Sequence, residues 1–331
     1  ICIVADDRPG LLAAMTAAEL ARRLGISRQA VHHRMKALLE AGVIKSFTAS
    51  ISVSYLDAIP VAIFGVSRIA WMEKTLDRLG DSELTRRVLA AGGNYLYVVG
   101  LLRNISELDG YVDFVRRTAE MPEPTVGVFC LDDGLMPHYP VDGGGARKVK
   151  SRALSALDLK IIASLKDDAR RPVVEIANLL GVSAKTVRRH LESMISDGLM
   201  EFQNPSDLIA GGDMLLIMHV SLKDGADKRL VGSKLLSKYS FRDAYVRTYG
   251  NLPNLLAWVF WSNDITEIRR AAREVGADES VASVMLNFAY LERMYDSWRE
   301  RLLSAQKIPL KKLGTRTSES DSKKARHPDS S

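Results

Sequence analysis

The feature that most constrains this chain is that it repeats itself. Residues 18–47, AELARRLGISRQAVHHRMKALLEAGVIKSF, lie over residues 174–203, VEIANLLGVSAKTVRRHLESMISDGLMEFQ, without a gap. Gly25 falls on Gly181, an offset of 156. Under it Glu19, Ala21, Leu24, Ser27, Val31 and Gly42 meet Glu175, Ala177, Leu180, Ser183, Val187 and Gly198. A chain of 331 residues has room for two copies of a larger unit, since domains run to roughly 100–200 residues each.

Each copy reads as helix, tight turn, helix. In the first, Thr16 and Glu19 form a T-x-x-E capping box, and Leu20, Ala21 and Leu24 make the apolar stripe of a short helix ending at Gly25. In the second, Pro172 suits a first helical turn. Ser27 and Ser183 stand where an N-cap belongs. The helix that follows carries apolar Val31, Met35, Leu38 and Leu39, matched by Val187, Leu191, Met194 and Ile195, and stops at Gly42 or Gly198. Two helices joined by a G-[IV]-S turn are the helix-turn-helix arrangement, whose second helix enters the DNA major groove.

A second repeated pattern follows each module. Strand-like residues 61–68 match 215–222, with Ile63, Val66 and Ser67 recurring as Ile217, Val220 and Ser221. Then come an amphipathic helix (72–80; 228–238), a strand (84–91; 243–249), a Gly-Asn corner, a third strand (95–103; 255–262), a helix entered at Ser106 or Thr266, and a last strand (125–131; 282–288). The order βαββαβ predicts a ferredoxin-like split βαβ unit, so the fold class is α+β: two winged helix-turn-helix domains, each followed by a ferredoxin-like domain. The expected boundaries are 1–50 and 51–133 for the first copy, a basic Gly/Pro linker over 134–155, 156–207 and 208–306 for the second copy, and a basic disordered tail over 307–331. That tail holds seven Lys or Arg against three acidic residues.

Composition removes several classes of function. Cys2 and Cys130 are the only cysteines and have no histidine at ligand spacing, so no metal site or disulfide framework is expected. The Gly run at 143–145 lacks the following Lys-Ser/Thr of a phosphate loop, and no cofactor is expected. No apolar run reaches the ~18 residues of a membrane span, so the expectation is a cytoplasmic protein. The net charge of +6 would help an approach to nucleic acid but does not establish one.

These residues resemble the Lrp/AsnC family of transcription regulators. Residues 157–200 resemble the family's whole N-terminal module, and residues 19–49 carry the same signature. The resemblance implies a DNA-binding module followed by an α/β domain that pairs subunits and binds small effectors. With two such domains in one chain, it implies an intramolecular pseudo-dimer able to assemble further into homo-oligomers. Two departures stand out. Family members place Gly-Asp-aromatic-Asp at the corner between the second and third strands. Here the corners read Gly93-Asn94-Tyr95-Leu96 and Gly250-Asn251-Leu252-Pro253-Asn254. Gly93, Asn94, Tyr95, Gly250 and Asn251 are thus the candidate effector residues, and the missing carboxylates argue against an ordinary amino acid. The first copy also begins at Ile1, so that if Asp6-Asp7 matches Asp167-Asp168 its first helix is shortened.

With Val31, Met35 and Leu38 facing inward, the other side of the first recognition helix carries Arg28, Gln29, His32, His33 and Lys36; the second carries Lys185, Arg188, Arg189 and Glu192. Arg and Gln suit base edges and Lys suits phosphate, which makes double-stranded DNA the expected partner. His219 (placed opposite Gly65), Trp258, Phe260, Trp261, Met214 and Met218 are expected to be core. Two other functions stay open. Siroheme decarboxylases are similar in architecture, although their Arg-Arg-Ile-Gly-like stretch and His-bearing strand have no counterpart in Val43-Ile44-Lys45-Ser46 or residues 84–93. A protein-binding adaptor is the other, favoured by the seven basic and seven acidic residues over 158–201.

Overall fold

The computed structural model describes residues 17–42, 46–70, 72–131, 135, 152–203, 214–239 and 241–305. The start of the first copy with Thr16, most of the expected linker and the C-terminal tail lie outside these residues. The first half runs α1 (Ala17–Leu24), α2 (Arg28–Glu40), β1 (Thr48–Ile51), β2 (Ile59–Val66), α3 (Met72–Leu79), β3 (Thr85–Ala91), β4 (Tyr95–Leu102), α4 (Leu108–Thr118) and β5 (Thr125–Val128). The second runs α5 (Ala156–Ser164), α6 (Val173–Leu180), α7 (Ala184–Ser196), β6 (Met200–Gln203), β7 (Met214–Leu222), α8 (Lys228–Lys238), β8 (Arg242–Thr248), β9 (Leu255–Ser262), α9 (Ile265–Gly276), β10 (Val281–Met294) and α10 (Trp298–Ser304).

The expected βαββαβ order is present in both halves. Eight antiparallel strands make one sheet in the order β5-β2-β4-β3-β10-β7-β9-β8, which is the ferredoxin-like order used twice. The halves join where β10 pairs with β3, from Ala289 opposite Ala91 to Met294 opposite Arg87. The far ends meet again: Phe129 bridges Tyr249, Cys130 N–H donates to Thr248 O at 3.0 Å, and Gly250 N–H donates to Val128 O at 2.8 Å. The sheet therefore curls back on itself, with helices outside and a second apolar layer inside.

That double burial explains why β2 (IPVAIFGV) and β7 (MLLIMHVSL) read as nearly unbroken apolar runs rather than as alternating ones. In the first half, Val61 and Ile63 face α3 and α4, while Ala62 and Phe64 face inward. In the second, Leu216 and Met218 face α8 and α9, while Leu215 and Ile217 face inward. The expected pairing of Ile63 with Ile217 is thus corrected by one residue: a one-residue slip exchanges faces, and two-sided burial leaves no alternation to fix the register. With the slip removed, His219 corresponds to Phe64 rather than to Gly65. The two rings meet edge to face inside the sheet at 4.9 Å, beside Tyr97. His219 is buried as expected, and burial pushes its imidazole down to about 4. Trp258, Phe260 and Met218 are fully buried beneath the helices, and Met214 packs on the same core; Trp261 packs on the inner layer.

β10 outruns the expected 282–288. Its polar stretch is accommodated because Glu292 pairs with Arg87 of β3 at 2.8 Å. Beyond each seam the chain lends a side chain to the other half. Leu135, at the start of the linker that leaves the first half, is buried in the second half's core, and Val246 N–H donates to its carbonyl at 3.3 Å. Tyr295, from the second half, packs on the first half's core and donates from its hydroxyl to Leu76 O at 2.6 Å. Each fits because a glycine faces it: a Cβ on Gly232 would lie 2.6 Å from Leu135, and one on Gly80 would lie 2.2 Å from Tyr295.

Candidate nucleic-acid interface

Both modules are built by the local signals of the sequence. Gly25 and Gly181 take the left-handed backbone (φ 63° and 67°) that ends the first helix and turns the chain. Ser27 then caps α2, its hydroxyl accepting from Ala30 N–H at 3.1 Å; Ser183 caps α7 by accepting from Thr186 N–H at 3.1 Å. Val31 and Met35 bury one side of α2, and Val187 and Met194 one side of α7.

This leaves the opposite faces in solvent. Arg28, Gln29, His32, His33 and Lys36 are all exposed on α2, and Lys185, Arg188, Arg189 and Glu192 are all exposed on α7. Lys36 lies 3.6 Å from Glu40, but both side chains are well solvated, and such a pair contributes little that a phosphate could not replace. Both faces carry cations, but α2 adds a two-pronged amide and two imidazoles, whereas α7 adds a carboxylate.

Sequence reasoning missed what holds these helices. His190, on the inner side of α7, meets Asp158 at 2.7 Å, and Arg152 meets the same carboxylate at 2.8 Å. Asp158 is wholly buried. Burial alone would raise its pKa, but hydrogen bonds from Arg152, His190 and Ser155 outweigh that and hold it at about 2. The Ser155-x-x-Asp158 capping box was the available signal. The modules also touch each other. β1 pairs with β6 in a two-stranded ribbon, Thr48 opposite Gln203 and Ile51 opposite Met200. Ala169 N–H donates to Phe47 O at 2.7 Å, and the Arg170 guanidinium lies 4.3 Å over the Phe47 ring.

The two corners differ. In the first, Gly93 and Asn94 both have positive φ (68° and 56°), and Tyr95 opens β4 with its ring 5.1 Å from Tyr97. In the second, Asn251 spends its amide on the edge of β5, accepting from Val128 N–H and donating to Val126 O, each at 2.8 Å. Gly250 beside it takes part in the closure of the sheet.

Among known proteins, residues 13–45 and 154–199 match the family described as winged helix-turn-helix DNA-binding. Two curated relatives are similar. HTH-type transcriptional regulator Ptr1 of Methanocaldococcus jannaschii is 33% identical over 96 residues, 28% of this chain and 65% of that protein. HTH-type transcriptional regulator LrpA of Pyrococcus horikoshii is 34% identical over 79 residues, 24% of this chain and 56% of that protein. The chain thus spans under two thirds of either relative. Among solved structures, that of the siroheme decarboxylase NirDL overlays with a TM-score of 0.56 at 16% identity, covering 87% of this chain and 93% of that one; at such identity the likeness is one of fold. No described helix is long and apolar enough to cross a membrane. By its two matched modules, the chain carries two winged helix-turn-helix units similar to those of Lrp-type transcriptional regulators.

Proposed function

We propose that this protein is a sequence-specific, double-stranded-DNA-binding transcription regulator that reads its operator with two unlike helices carried by one chain. The observation that carries the reading is the pair of helix-turn-helix modules, joined through the β1–β6 ribbon and each leaving a basic and polar helix face in solvent. Arg28, Gln29, His32 and His33 are the base-reading candidates; Lys36, Lys185, Arg188 and Arg189 are suited to phosphates. Of the two effector corners, that of Gly93, Asn94 and Tyr95 is the better placed, because Asn251's amide and Gly250's N–H already serve the sheet closure. Neither corner offers a carboxylate for the ammonium of an amino acid.

Titration of DNA against salt tests the proposal. Neutralised phosphates release counterions, so log affinity falls by about 0.9 per contact for each unit of log salt. Lys36→Ala weakens binding to every sequence alike and lowers that slope by about one, whereas Gln29→Ala costs roughly 1–3 kcal/mol at one base pair and relaxes discrimination there. Binding indifferent to salt and to both substitutions would overturn the reading in favour of a protein-binding adaptor, for which the balanced charge of the second module is the specific argument.

A further inference from the structure

The two reading heads hang from the β1–β6 ribbon, in which Ser50 and Glu201 stand directly opposite each other. α10 lays two consecutive residues against that pair. Arg299 pairs through Nη1 with the Glu201 carboxylate of β6 and donates to Ile51 O of β1 at 3.3 Å; Glu300 accepts from Ser50 Oγ at 3.3 Å. Arg299 Nε also donates to Glu300 at 2.8 Å, and Arg86 of β3 donates to the same carboxylate at 2.8 Å. The helix is tied to the sheet by Trp298 Nε1–H, which donates to Leu101 O at 2.8 Å, and to the second module by Lys166, whose amine donates to Ser304 Oγ at 3.1 Å. Arg299 is wholly buried and Glu300 nearly so.

Burying such ions is costly, and an apolar replacement of the set is often at least as stable; the best-attested benefit of keeping them is a fixed register. Arg299 bonds both strands of the ribbon at once. We propose that Arg299 is a positioning residue that fixes the register of the β1–β6 ribbon, and through it the separation of recognition helices α2 and α7. The consequence for operator spacing rests on the DNA-binding reading; the separation itself does not.

The test uses the full chain with Cys2→Ser and Cys130→Ser, spin-labelled at Glu40→Cys on α2 and Ser196→Cys on α7. Both positions are exposed and lie outside the proposed DNA contacts. The parent should give one narrow label–label distance. The neutralised pair R299M with E201Q should broaden or displace it while unfolding stays cooperative, and R299K, which keeps a charge for Glu201, should recover most of the parent distribution. On operator variants with lengthened spacers, the parent should lose more than about tenfold in affinity when the half-sites are moved ~5 bp out of phase, and the neutralised pair less than about threefold. An unchanged distance in the folded R299M/E201Q chain overturns the proposal. If that chain does not fold, E201Q alone carries the same measurement with the same two outcomes. A parent distance that Arg299 controls, together with no DNA binding at any spacing, would uphold the positioning role and remove the DNA-binding reading.

Discussion

Leu135, where the chain leaves the first half, completes the second half's core, and its partnership with Gly232 can be measured in a double-mutant cycle. The side chain is buried in a cluster that includes Leu216, Val231, Val246 and Phe260. Leu135→Ala should cost about 3 kcal/mol, the usual sum of lost transfer energy and residual cavity. Gly232 lies inside α8, where alanine would gain about 1 kcal/mol of helix propensity. Its Cβ, however, would sit 2.6 Å from Leu135 Cδ1, and forcing that overlap costs roughly 1–3 kcal/mol, so Gly232→Ala alone is neutral to destabilising. With Leu135 already alanine, the same Cβ enters the vacated space and Gly232→Ala becomes stabilising. The sign change gives a coupling of about 2 kcal/mol, which urea titration followed by tryptophan fluorescence resolves. Additivity within about 0.5 kcal/mol would refute the claim that the two halves interlock at this point.

The inner face of the sheet makes a pH prediction. His219 has a folded pKa of about 4, below its ordinary 6.5, so the unfolded chain takes up the extra proton between those values; its contribution is whole above the upper value and falls with pH towards the lower. His219→Phe, which copies Phe64 of the other half, should flatten that part of the urea-midpoint profile, and a mutant profile parallel to the parent's would contradict the assignment. Glu300 is held at about 2 against its burial by Arg299 and Arg86, so its contribution is present above its ordinary pKa of 4.5 and disappears as pH falls through about 2. Glu300→Gln should accordingly be destabilised at neutral pH and indistinguishable from the parent near pH ~2, by thermal melts across that range. At the second seam a Cβ on Gly127 would lie 2.2 Å from the Tyr249 ring; Gly127→Ala should speed hydrogen exchange at the Cys130 and Gly250 amides, and unchanged protection there would count against the closure of the sheet.

The helix-turn-helix modules were legible because their signals are local: a glycine that must turn, a serine that must cap, and apolar residues at helical spacing. The strand order was legible from element order. Register was not, because β2 and β7 are buried on both faces and carry no alternation to distinguish Ile63 from Phe64. The joining of the two halves was equally hidden. Nothing near Leu135 or Tyr295 marks them as core residues of the other half, since the signal is a missing Cβ at Gly232 or Gly80, distant in sequence. The interlock also means that neither half completes its core alone, so DNA binding must be dissected by substitution in the full chain rather than by separating the halves. Among the functional residues, the exposed faces of α2 and α7 follow from periodicity, whereas Arg299 and Glu300 required the ribbon to be seen. The place of Asn251 in the chain marks it as an effector candidate, whereas the engagement of its amide with a strand over 120 residues away became visible only in the fold.

The most direct test of the account is the symmetry of the operator selected by the full chain from random DNA, with the protected region and the number of chains bound determined on the winning sequence. One chain that reads DNA with α2 and α7 predicts two half-sites of different sequence about one helical turn, or a multiple of it, apart. It also predicts one chain per operator, and base specificity lost mainly on changing Gln29 rather than Lys185. A strictly palindromic operator holding two chains, with equal losses on disabling either helix, would mean that the same copy from each of two chains does the reading, and would contradict it.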